Sequence, residues 1–249
     1  MLSLLATALV VCAPGYPGSA AEAQPAMDAL ARELSSASQV SPLTASYEET
    51  AAGGLKKLAK PDTALLLATL PFFLEHERDL QLTARLLATP QGGQPLQKWT
   101  LVTGKDHPTP LAGYAVQSLA GSSPRFVHAA APLLPADVVV SASGSVLSGL
   151  RKAANGEKIA LLLDGAQAAS LSTLPFASQL ATVETSAPMP VAIVATVGKR
   201  VDAAKWRALQ AAFTSMSASD ALAGIQMTGF EPLDEKALAA ARNAFGKAR

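Results

Sequence analysis

Residues 138–170, VVVSASGSVLSGLRKAANGEKIALLLDGAQAAS, hold two strand signals around one helix. Val138–Val140 is a short apolar run. Ser143 or Ser145 then offers a hydroxyl to cap a helix over Val146–Ala154, and Asn155-Gly156 supplies its stop. Ile159–Leu163 is a continuous apolar strand that delivers Asp164-Gly165 at its C-terminal end, with a short helix near Ala166–Leu171 after it. Strand, helix, strand and helix in this order point to βα units on a sheet covered on both faces.

The same order extends outward from this stretch. Upstream, Tyr114–Gln117 reads as a strand leading into Gly121-Ser122-Ser123-Pro124, where proline suits the first helical position. Leu80–Leu87 and Lys98–Thr103 read as strands joined by the turn Pro90–Pro95, and Thr63–Thr69 as a buried strand ending at Leu70-Pro71-Phe72. A strand over Leu43–Tyr47 and a short helix over Ala51–Leu58 precede it. Near the start, Thr7–Ala13 runs into Gly15-Tyr16-Pro17-Gly18, and Ser19 with Glu22 has capping-box spacing. Met27, Leu30, Ala31 and Leu34 then mark one buried face of a helix, in which Pro25 makes a kink or marks the first turn. Downstream, Ala181–Glu184 and Val191–Thr196 are extended, with Pro188 and Pro190 between them. Two helices finish the chain, one with Trp206, Leu209, Phe213 and Met216 on a face, the other with Leu238, Ala241 and Phe245.

Composition agrees with a folded α/β protein. Of 249 residues, 49% are hydrophobic and 16% charged, which excludes disorder as the main state. Twenty basic and 19 acidic residues give a net charge of +1 without a basic cluster, so nucleic acid is not an expected partner. Cys12 is the single cysteine and cannot form an internal disulfide. Met1–Val11 is almost wholly apolar but lacks a basic n-region. The strand reading is preferred there to a signal peptide, so that any export signal is expected upstream of this start or already removed. No run reaches the roughly 18 apolar residues that span a bilayer.

The chain lacks a Walker loop, a dinucleotide-binding glycine fingerprint, a zinc-protease helix and a nucleophile elbow. His76, His107 and His128 are widely separated, with none at ligand spacing, and His76 sits in the charged turn Glu75–Asp79. The expectation is therefore a binding protein with no catalytic residue, cofactor or metal. Three constellations fall where open α/β sheets place ligands, at strand C-termini. Gly15–Ser19 offers backbone N–H groups at a helix start, or is a tight turn. Gly121–Pro124 offers two hydroxyls, or is a helix cap. Asp164 offers a buried carboxylate, either to a ligand or to the backbone of its own turn.

The stretches Val10–Ala26, Thr63–His76, Val138–Ser170 and Ala181–Phe245, taken in order, resemble the periplasmic solute-binding proteins of ABC transporters with the type II fold, phosphate/phosphonate-binding branch. The resemblance implies two lobes, each a mixed sheet flanked by helices, joined by two crossover strands. Lobe one would be 1–88 plus 187–249 and lobe two 89–186, with Leu82–Leu87 and Ala181–Ser186 at or near the crossings. It implies a small solute, phosphate/phosphonate-like or zwitterionic, held in the interlobe cleft by hinge closure. Its partner would be an ABC transporter permease in the membrane, and the protein a periplasmic monomer. The implied solute contacts are Tyr16, Ser19, Tyr47, Pro71 and Phe72 from lobe one, and Ser118, Ser122, Ser123, Ser143, Asp164 and Gln167 from lobe two. Phosphonate binders use a hydroxyl-rich helix start for the acid group, which Ser122 and Ser123 match, and an acidic group for a ligand amine, which Asp164 matches. The alternatives on the same scaffold are a ligand-sensing or partner-binding module and a two-lobed transferase.

Overall fold

The computed structural model describes residues 7–16, 18–119, 121–217 and 219–248. The chain runs β1 (Thr7–Cys12), α1 (Ala20–Ser38), β2 (Leu43–Glu48), α2 (Ala51–Leu58), β3 (Thr63–Thr69), α3 (Leu70–His76) and β4 (Leu82–Pro90). It continues through β5 (Leu96–Gln97), β6 (Thr100–Gly104), β7 (Ala115–Ser118), α4 (Pro124–Ala130), β8 (Val139–Ala142), α5 (Val146–Ala154), β9 (Ile159–Leu163) and α6 (Gly165–Ala169). After two 3₁₀ turns come β10 (Leu180–Thr185), β11 (Met189–Pro190), β12 (Ala192–Val197), α7 (Ala203–Ser215), α8 (Asp220–Gly224), β13 (Met227–Pro232) and α9 (Glu235–Lys247).

These elements form two compact units. The first holds the described residues up to Pro95 and Pro190–Asp234; the second holds Leu96–Met189 and the residues from Glu235 on. The chain passes between units at Pro95/Leu96, Met189/Pro190 and Asp234/Glu235. β5 and β11, at the first two passages, form a two-stranded ladder. The expected crossings at Leu82–Leu87 and Ala181–Ser186 lie instead inside the two main sheets, as β4 and β10. Likewise Leu80–Leu87 and Lys98–Thr103 do not form a hairpin, since β4 and β6 belong to different sheets.

The first unit is built on a six-stranded mixed sheet of order β13-β4-β12-β3-β1-β2. β1 pairs parallel with β2 and β3, while β12 pairs antiparallel with β3 and β4 and so stands between two strands that follow one another in sequence. β3 is apolar from Ala64 to Ala68 because both of its faces are buried. On one face Leu9, Val11, Leu65 and Leu67 meet Met27, Leu30 and Leu34 of α1 and Leu209 and Phe213 of α7. Ser19 caps α1 with Glu22 as the sequence spacing predicts, and the helix begins at Ala20, so that Pro25 lies in its second turn rather than its first. Three elements depart from the sequence reading. Leu70–His76 is a helix, with Pro71 in its first turn, not merely a strand end. α8 and β13 occupy a stretch too short for a periodic signal, and Ser219 caps α8.

The second unit has a five-stranded mixed sheet of order β10-β6-β9-β7-β8. β7, β8 and β9 are parallel; β6 runs against them, and β10, antiparallel to β6, runs with them again. Val102, Leu161 and Leu163 pack on Leu150 and Ala153 of α5. Leu101, Val116, Ser118 and Leu162, out of phase with them, are buried on the opposite face. Ser145 caps α5, and Gly156 takes the left-handed φ of 87° that its stop requires. The helix expected near Ala166–Leu171 divides into α6 and a 3₁₀ turn at Leu171–Thr173. α9, expected with lobe one, packs on α4: Arg125 Nε donates to the Phe245 carbonyl at 2.9 Å, and its guanidinium lies 4.5 Å over the Phe245 ring.

Candidate functional site

In the second unit the parallel strands β7, β8 and β9 all end at one edge of the sheet. β6 and β10 extend that edge: Thr185 is opposite Thr100, and Thr100 opposite Leu163. One residue further out lie Ser186, Trp99 and Asp164, while Ser118, opposite Ala142, brings in Ser143. Backbone bonds fix this row. Ser186 N donates to Trp99 O at 2.8 Å, Trp99 N donates to Ser186 Oγ at 2.9 Å, and Ser143 N donates to Ser118 O at 2.7 Å.

The row is buried, with Trp99 and Ser118 each 2% exposed and Asp164 4%. Ser118 Oγ, Ser143 Oγ and Trp99 Nε1 are nevertheless without a hydrogen-bond partner. Leaving a buried polar group unpaired costs about 1–3 kcal/mol, so each of these atoms is a candidate to meet a ligand atom. At the β8 end of this edge Ser141, Ala142, Gly144 and Ser145 are exposed.

Around the row the expected contacts have local duties. Ser123 caps α4, accepting from Phe126 N at 3.2 Å, and the half-buried Ser122 donates its N–H to Leu119 O at 3.1 Å. Asp164 and Gln167 form a capping box at α6: Asp164 Oδ1 accepts from Gln167 N at 2.8 Å, and Gln167 Oε1 accepts from Asp164 N at 3.1 Å. Asp164 thus serves the backbone of its own turn.

In the first unit, β1, β2 and β3 end together in the same way. Tyr16 lies in the turn after β1, its N–H donating to Ala13 O at 3.2 Å. The expectation of free N–H groups at the start of α1 is not met. Glu22 accepts from Ser19 N at 2.9 Å and from its hydroxyl at 2.8 Å, and Glu49 Oε2 accepts from Ala20 N at 3.1 Å. Two carboxylates already serve this helix start. Tyr47 is buried with its Oη unpartnered, and burial, then the charge of Glu49, holds its phenol above the usual range. Pro71 and Phe72 are core residues of α3, Phe72 against the ring of His76 at 4.6 Å. Among the described residues no group of acidic, histidine or cysteine side chains could hold a metal.

Cys12 closes β1 with its thiol pushed up to about 12, first by burial and then by Glu48. Unfolded, it ionises near its ordinary 9.0. Across that window the unfolded chain gives up a proton that the folded chain keeps, so stability falls as pH rises, by at most about 1.4 kcal/mol per pH unit. Denaturation midpoints followed upward from about pH 9 are expected to fall more steeply for the wild type than for Cys12→Ala. Parallel curves would show that the thiol is not buried as described.

No family model matches the sequence, and no curated protein matches it. Solved structures match over nearly the whole chain. XAC2383 from Xanthomonas citri, bound to chloride, has a TM-score of 0.74 at 18% identity, covering 96% of this chain and 98% of that one. The binding protein component PA3383 of a Pseudomonas aeruginosa ABC phosphonate transporter has a TM-score of 0.63 at 14% identity, covering 96% and 85%. PhnD1 from Prochlorococcus marinus, in complex with methylphosphonate, has a TM-score of 0.61 at 13% identity, covering 97% and 98%. This is the type II periplasmic-binding-protein fold.

Within that fold, the sequence reading brings Ser118, Ser143 and Asp164 to one edge, with Ser122, Ser123 and Gln167 on the elements that leave it. It misses Trp99 and Ser186. A search of strand C-termini passes over Trp99, because the antiparallel β6 brings its N-terminal end to the same edge, whereas Ser186 follows the C-terminal end of β10 and lies within reach of that search. A tryptophan before an apolar strand also reads as core, and the signal that would have found it is the antiparallel pairing itself.

Proposed function

We propose that the protein is the substrate-binding component of an ABC-type importer, capturing a small polar solute outside the cytoplasmic membrane and delivering it to a permease. The observation that carries this reading is the pair of buried, unpartnered hydroxyls of Ser118 and Ser143, at the edge where three parallel strands end. The fold supports it, as does the description of PA3383 as a binding protein of an ABC transporter. Among the described residues no helix is long and apolar enough to cross a membrane. Capture needs no covalent step. A solute that binds one arrangement of the protein better than another shifts the population toward it, which is the hinge closure the resemblance implies.

A thermal-shift screen of polar solutes tests the proposal. A solute at one hundred times its Kd stabilises by about 2.7 kcal/mol, a readily measured rise in Tm. Asp164→Ala and Ser122→Ala are expected to reduce that rise. Asp164→Ala also removes a helix cap worth about 1 kcal/mol, so each variant is compared with its own unliganded Tm. A folded protein that no solute stabilises would overturn the reading.

A further inference from the structure

We infer that Trp99 is a ligand-contacting residue, and that the second unit receives an uncharged oxygen-bearing group (a carbonyl, amide or hydroxyl) rather than a phosphonate dianion. The inference rests on the solute-binding reading above and names the class of group this edge accepts.

The indole N–H is a donor that can accept nothing, so only an acceptor satisfies it. The indole is held in place. Its backbone is pinned on both sides by Ser186, and its ring meets Phe126 edge-on, with centroids 5.0 Å apart and planes at 77°. Ser118 and Ser143 add hydroxyls that donate or accept. The unpartnered side-chain atoms of this sheet are therefore neutral, and the side chain level with Trp99 on the neighbouring β9 is the Asp164 carboxylate.

A buried dianion requires compensating charge, because removing it from water costs more than neutral donors return. The cations nearby in sequence do not supply it. Arg125, in the first turn of α4, is engaged by the carbonyl and ring of Phe245. Lys98, beside Trp99, is exposed to solvent. A phosphonate would add its charge to that of Asp164. An amide, carbonyl or hydroxyl oxygen instead accepts from the indole N–H at no electrostatic cost.

The chain has two tryptophans, so Trp206→Phe leaves Trp99 as the sole indole. In an ¹⁵N-labelled sample of that variant, its one indole N–H resonance is followed against acetamide, methylphosphonate and each solute found by thermal shift. Acetamide and the stabilising solutes are expected to move the resonance downfield and saturably, while methylphosphonate leaves it in place. Trp99→Phe and, separately, Ser118→Ala are expected to weaken the stabilising solutes about tenfold, the equivalent of one charge-neutral hydrogen bond. Solutes that raise Tm without moving the indole, and bind Trp99→Phe unchanged, would overturn the role of Trp99 and leave solute binding standing. Saturable movement with methylphosphonate but not with acetamide would overturn the class of group. A screen without any stabilising solute, together with an indole that acetamide does not move, would overturn both readings.

Discussion

Phe213→Ala is expected to lower the stability of the first unit by about 3–5 kcal/mol, a large part of what a domain of this size possesses. Phe213 is fully buried in α7, and its ring meets Phe230 of β13 edge-on, with centroids 4.8 Å apart. It belongs to the cluster in which α1 and α7 cover the six-stranded sheet, so truncation removes both its transfer free energy and the contacts of its neighbours. The expected order is wild type, Phe213→Leu, Phe213→Ala, with the leucine variant within about 1.5 kcal/mol of wild type if the site repacks. Trp206, also in that cluster, reports the transition by its fluorescence once Trp99 is replaced. A loss below about 1 kcal/mol for alanine would mean that the helical layer is not packed as described.

Gly104→Val should damage the second unit by about 3 kcal/mol. Gly104 ends β6, and a Cβ there would run into the carbonyl oxygen of Ala153 in the last turn of α5. Backbone cannot swing aside as a side chain can, so α5 would have to lift from Val102 and Leu161. Gly246→Ala is the control: nothing lies within 4 Å of a Cβ there, and alanine suits a helix better than glycine. It should be neutral or slightly stabilising. Trp99 emission in the Trp206→Phe background follows this unit, and a Gly104→Val variant as stable as wild type would contradict the placement of α5.

Most of the architecture is legible in the sequence because its elements carry strong local signals. α2, α5, β3 and β9 fall where capping residues, glycine stops and apolar runs place them. What was not legible is what depends on distant pairing. α9 has an ordinary amphipathic face, and nothing local says that α4 is its partner. β4 and β10 read as strands, but the resemblance puts them at or near the crossings, and nothing local reveals which sheet receives them. The site divides in the same manner. Ser118, Ser143 and Asp164 follow from strand ends, whereas the role of Ser19 as part of a closed cap depends on Glu49, which lies beyond the next strand. Trp99 required the sheet order itself.

The position of β12 between β3 and β4 has a consequence for how the protein is made. The ribosome delivers β3 and β4 early, with a gap between them that Ala192–Val197 fills much later. Until then two apolar strands, buried in the finished protein, have open edges and are able to pair with one another in the wrong register. The second unit waits in its turn for α9, which follows every other element of both units. Neither half can finish before its late elements have been made. The nascent chain thus leaves both units incomplete until these late elements have emerged, and a holdase has its longest opportunity before then.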